Sequence, residues 1–111
     1  MNLVAELMDA AVSDTDVLRS LDEQGDRFDV FRDVDFLLRC GSTEKANLVM
    51  GFINDHSYGS ASIQENVNVL VIIRMPVEQS ILLPVSGFFT CLAHIFEFEY
   101  DGWGCVAQPQ T

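Results

Sequence analysis

Basic residues are scarce in this sequence. Six Lys and Arg stand against seventeen Asp and Glu, which leaves a net charge of −11 and a pI near 4.2. Direct binding to DNA or RNA depends on Lys and Arg displacing the counterions condensed on phosphate, so that class of function is excluded. An anionic membrane surface would repel the chain for the same reason. Cysteine is sparse as well: Cys40, Cys91 and Cys105 are an odd number without C-x-x-C spacing. Each sits in an apolar run, where a free thiol behaves as a small hydrophobe. With no basic n-region before Glu6 and Asp9, the opening does not read as a signal peptide, and a reducing cytoplasm is the expected compartment. His56 and His94 are the only histidines, too few for zinc, which takes three or four convergent ligands. Phosphate-loop and dinucleotide glycine patterns are absent, and no helix follows Gly102-Trp103-Gly104.

The remaining polar groups fit structural roles. His56, in Asn54-Asp55-His56, reads as a polar helix end. Cys91 and His94 stand three apart on one helix, and the apolar run around Cys91 favours core packing with an inert thiol. Asp14/Asp16 and Asp33/Asp35 are local, solvated pairs, whereas acid–base catalysis needs two carboxylates in distinct environments. No catalytic residue, metal or cofactor is therefore expected.

What is present is a globular composition: 111 residues, 49% apolar and 21% charged. This suffices for one core without disulfide or metal support, and a single domain over residues 1–111 is expected. No internal repeat is visible. Residues 1–35 carry ten acids and three bases, net −7, and the other residues net −4. Such a field suits a basic protein surface, because complementary charge speeds encounter. Gln79 to Phe96 is uncharged over 18 positions, the minimum for a membrane span. Acidic flanks and the dilution by Pro84, Ser86, Gly87, Thr90 and His94 favour a core helix instead.

Periodicity divides the chain into elements. Leu3, Val4, Leu7, Met8 and Ala11 recur at helical spacing in an N-terminal helical segment over 1–25. Ser13-Asp14-Thr15-Asp16 reads as a break and restart, with Ser13 or Asp14 as N-cap and Gly25 as the stop, which makes the segment either one bent helix or two. Val34, Phe36, Leu38 and Cys40 alternate as a strand. A helix over Thr43–Asp55 follows, with Ser42 or Thr43 as its cap. Tyr58–Glu65 reads as a short edge strand, and Val67–Met75 as a central one. The next helix covers about Ser80–Glu97, with Pro84 confined to its first turn. Tyr100–Gly104 reads as a turn and Trp103–Ala107 as the last strand. The order over 32–107 is βαββαβ, the split pattern of an α+β ferredoxin-like domain: an antiparallel sheet with both helices on one face, plus the N-terminal helical extension.

Tyr100-Asp101-Gly102-Trp103-Gly104 is the strongest local feature. Asp-Gly supplies turn chemistry, and Tyr100 and Trp103 are large amphipathic side chains. This pentapeptide closes a long apolar helix and Glu97-Phe98-Glu99. With Leu18, Leu21, Gly25 and Arg32-Asp33-Val34-Asp35-Phe36-Leu37-Leu38, it resembles the regulator of ribonuclease E activity B (RraB) family over roughly Asp16 to Val106. The resemblance implies a ferredoxin-like, non-enzymatic domain that binds ribonuclease E on its Arg-rich scaffold region and lowers RNA cleavage. Members of that family run on into an acidic tail, whereas Gln108-Pro109-Gln110-Thr111 follows here, so any role of that tail is expected to be missing. Two partner-binding surfaces are expected. One is a continuous solvent-facing negative patch of Asp14, Asp16, Asp22, Glu23, Asp26 and Asp29. The other is the region of Tyr100, Asp101 and Trp103, with Trp103 largely buried beside a turn. A small-ligand-binding or edge-to-edge dimerising domain of the same fold is the alternative.

Overall fold

The computed structural model describes residues 2–109. Helix α1 runs Leu3–Glu23, β1 Arg32–Arg39, α2 Thr43–Asp55, β2 Ser60–Gln64, β3 Asn68–Met75, α3 Gln79–Phe96 and β4 Glu99–Gly104. The four strands form one antiparallel sheet in the order β2-β3-β1-β4. That is the ferredoxin-like arrangement, with α1 added outside the βαββαβ unit.

Strand alternation decides which face is covered. Val34, Phe36 and Leu38 of β1 and Val69 and Val71 of β3 point into the core. There they meet Ala46, Val49 and Ile53 of α2 and Leu82, Phe89 and Leu92 of α3. Phe36 and Phe89 pack with ring centroids 4.7 Å apart. The opposite face of the sheet carries Asp33, Asp35, Arg39, Ser60, Ser62, Gln64 and Arg74, and is open to solvent. β2 lies at an edge, as its weaker apolar content indicates, and β3 is internal, as its β-branched run indicates.

Local chemistry sets the helix ends. The Asn2 side chain accepts from the Ala5 amide at 2.8 Å, and Ser42 from the Lys45 amide at 3.2 Å, which satisfies N–H groups that the helix itself leaves free. Gly25 turns the chain out of α1 with φ +76°, a left-handed conformation that costs glycine little. At the end of α3, Phe98 N–H donates to the Ala93 carbonyl. The Lys45 ammonium reaches from α2 to the Glu97 carbonyl at 2.6 Å, placing a cation at the negative end of the α3 dipole.

Four expectations are corrected. First, α1 is one unbroken helix of 21 residues. Ser13-Asp14-Thr15-Asp16 lies in its middle, where Thr15 donates its hydroxyl back to the Ala11 carbonyl and Asp14 caps nothing. Second, α3 begins at Gln79, so Pro84 lies inside it and not in the first turn. Third, Tyr100–Gly104 is strand. Leu38 pairs with Tyr100 and Phe36 with Trp103, so Asp101-Gly102 together face Leu37 in a β-bulge. Gly102 supplies the positive φ of +87° there, and the strand ends where it was expected to begin. Fourth, α3 is a core helix on one side only: 28% of it is buried. By length and composition alone it could cross a membrane.

Candidate functional site

The N-terminal half of α1 lies along α3, so that Leu7 sits 3.5 Å from where a Cβ on Gly87 would stand. Glu6 pairs with His94. Beside this seam α1 parts from β4, and the opening is a groove of about 950 Å³. Its α1 wall is Glu6, Asp9, Ala10, Ser13 and Asp14, its far wall Glu97 through Gly102, and its floor Thr90, Ala93 and His94. Among the described residues, no Lys or Arg lines it.

Asp14 is the least expected part of the site. It is 4% exposed, and Trp103 Nε1 donates to its Oδ1 at 3.0 Å across 89 positions of sequence. Burial pushes its carboxyl above the ordinary 3.8, while hydrogen bonding from Ser86 and Trp103 pulls the other way. Next to it the Tyr100 and Ser86 hydroxyls are 2.8 Å apart, and burial raises the Tyr100 phenol far above its ordinary value. Trp103 is half-buried, not wholly buried, and its indole ties α1 to β4 beneath the groove.

The expected negative patch is thereby divided. Asp16, Asp22, Glu23 and Asp29 do face solvent, with Asp16 held by Arg19 at 3.2 Å. Asp14 and Asp26 do not. The Asp26 carboxyl is fully buried and paired with the equally buried Arg32 at 2.6 Å. Arg32 also donates to the carbonyls of Arg27 and Val30. The same Asp26 oxygen accepts from the Gln108 amide, so the pair fastens the C-terminal segment to the loop after α1. A lone charge buried here would be costly, which is why Asp26 contributes nothing to an outer field. Asp101 lines the groove and is paired with Arg39 at 2.9 Å.

Of the residues singled out by sequence, Asp14, Tyr100 and Asp101 converge on the groove, with Trp103 behind it. Glu6, Asp9, Glu97 and Glu99 were missed as site residues. Glu97 and Glu99 belonged to the quoted Glu97-Phe98-Glu99 signature, and Glu6 and Asp9 share a helical face three residues apart, so both signals were legible. His56 closes α2, with Nδ1 2.8 Å from the Phe52 carbonyl, as a polar helix end should. Cys91 departs from expectation: it is half-buried on the outer side of α3. Burial raises the thiols of Cys40 and Cys105.

The structure is thus a ferredoxin-like domain with an acid-lined groove and the Trp103 indole beneath it. Comparison with known families specifies the class. The family model described as regulator of ribonuclease activity B matches residues 12–105, a span that includes most of α1 and all four strands. This chain belongs to that family, and its role is regulatory, directed at a ribonuclease through protein contact. No curated protein matches it.

Proposed function

We propose that this protein binds ribonuclease E on the enzyme's Arg-rich scaffold region and lowers its cleavage of RNA, acting in the cytoplasm without catalysis of its own. The observation that carries the reading is the groove: it is concave and lined by Glu6, Asp9, Asp14, Glu97, Glu99 and Asp101, with no Lys or Arg among the described residues, within a chain of the ribonuclease-regulator family. Concave walls of low dielectric focus the field of such carboxylates. Guanidinium groups suit them because they bind carboxylates in a two-pronged geometry and are weakly hydrated. The edge-dimerising alternative loses support at β2, where the Asn54 amide occupies both outward backbone groups of Ala61, at 2.9 and 3.0 Å.

The test uses purified ribonuclease E, intact and lacking its Arg-rich scaffold segment. The intact enzyme should be captured by this protein and its cleavage slowed. The truncated enzyme should be neither captured nor slowed. Capture of both forms alike would remove the scaffold from the reading, and capture of neither would end it.

A further inference from the structure

The outer surface of the two packed helices carries a second feature, separate from the groove. On α3, Ile81, Pro84, Phe88, Cys91 and Ile95 fall at spacings of 3, 4, 3 and 4, and four of the five are exposed, with Cys91 half-buried. Ile95 is 70% exposed. On α1, Val4, Met8 and Val12 follow at spacings of four and are 65%, 65% and 64% exposed. At 100° per residue, the groove residues Glu6, Ala10 and Ser13 lie on one side of the Leu7–Gly87 seam. Val4, Met8 and Val12 lie on the other, as do Pro84, Cys91 and Ile95 of α3. The two rows therefore border one shallow apolar channel along the antiparallel pair. A spacing of 3 and 4 is that of the hydrophobic seam of packed helices. The α3 row, from Ile81 to Ile95, spans about 21 Å of helix, or about two heptads. A contiguous exposed apolar surface of this kind marks an interaction site.

Charge selects the occupant. No Asp, Glu, Lys or Arg occurs between Gln79 and Phe96, so the α3 side offers only apolar contact. Beyond Val12 the α1 side turns to Asp16, which Arg19 meets at 3.2 Å, and at the end of the helix to the exposed Asp22 and Glu23. We infer that this channel takes an amphipathic helix of about two heptads from a partner protein, with Lys or Arg on the flank that meets Asp16 and Asp22. A second copy of this chain fits less well, because it would set acid row against acid row between molecules of net charge −11 each. A lipid surface fits less well too, because the neighbouring acids face the same way as the channel. The site stands whichever protein supplies the helix, and independently of the groove.

The experiment uses the full chain and two synthetic two-heptad helical peptides with Leu at the seam positions. One carries Lys on both flanks and the other Glu. Affinity is read by fluorescence anisotropy and location by methyl NMR of the methionines and isoleucines. The Lys peptide should bind about tenfold or more tightly than the Glu peptide at low salt, and should shift Met8, Ile81 and Ile95 but not Ile72 on the open sheet face. Ile95→Ser, at an exposed position, should weaken the Lys peptide with the melting temperature unchanged. Asp16→Lys should narrow the preference between peptides. Equal affinity for the two peptides, shifts centred on Ile72, self-association without peptide in sedimentation, or the same shifts produced by phosphatidylcholine vesicles would each overturn the assignment.

Discussion

At the scale of single residues, Asp14 is the informative case. Its folded-state carboxyl lies above the ordinary 3.8, so the protonated form is favoured by folding. The stability this contributes is fully present below the ordinary value and is lost as pH rises through the raised one. At neutral pH the buried carboxylate is then a cost. Asp14→Asn keeps an oxygen for Trp103 and removes the charge. The variant should melt at or above the wild-type temperature at about pH 7, and the difference should shrink toward about pH 4. A variant that melts well below wild type at neutral pH would mean that the ionised form is held favourably. Trp103→Phe removes the donor to Oδ1 instead and leaves that oxygen unsatisfied, which should cost about 1–3 kcal/mol. The partnership with Trp103 was not legible in the sequence. Ser-Asp-Thr-Asp is a good local start signal for a helix, because short polar side chains compete for backbone N–H groups. That local preference was overridden by a contact 89 positions away, which no window of sequence contains. Asp26 misled in part for the same reason: Arg32 is six positions away, but the Gln108 amide that shares its oxygen is 82 away.

At the scale of elements, periodicity carried most of the information. Alternation placed the buried residues of β1, and a β-branched run placed β3 at the centre. The failures cluster where backbone geometry is set by neighbours. Asp101-Gly102 has turn chemistry, yet pairing with β1 absorbs it as a bulge. Helix α3 reads as core, yet Ile81 and Phe88 stand exposed, because apolar content alone does not tell the covered face from the bare one. Edge strand β2 shows how an exposed edge is kept from pairing. Asn54 lies on the last turn of α2, and its amide imitates a neighbouring strand at Ala61. Asn54→Ala would leave that N–H and C=O open on a short edge with no Lys, Pro or bulge to guard it. Such a variant should remain folded yet self-associate with rising concentration in sedimentation velocity, where the wild type does so less. Equal behaviour of the two would show that the remaining edge is already too short to pair.

At the scale of the whole molecule, the question is which acidic surface meets a cationic partner first. One is the groove, with Glu97 and Glu99 on its β4 side. The other is the exposed end of α1 with Asp22, Glu23 and Asp29. Glu23 lies about 21 Å along the helix from Asp9, more than two Debye lengths of about 8 Å at physiological salt, so the two surfaces act separately. A concave surface concentrates potential between its walls, whereas a convex helix end spreads it into solvent. The groove should therefore dominate. Glu97→Lys with Glu99→Lys, and Asp22→Lys with Glu23→Lys, change the net charge by the same amount. The groove pair should slow association with ribonuclease E markedly more than the helix-end pair, and rates for wild type and both variants should converge as salt screens the field. Stopped-flow association at low and high salt measures this directly. Equal slowing by the two pairs would mean that total charge alone steers the encounter. Greater slowing by the helix-end pair would return the contact to the patch that the sequence first suggests. A rate indifferent to both pairs and to salt would remove electrostatic steering and leave apolar contact as the source of recognition.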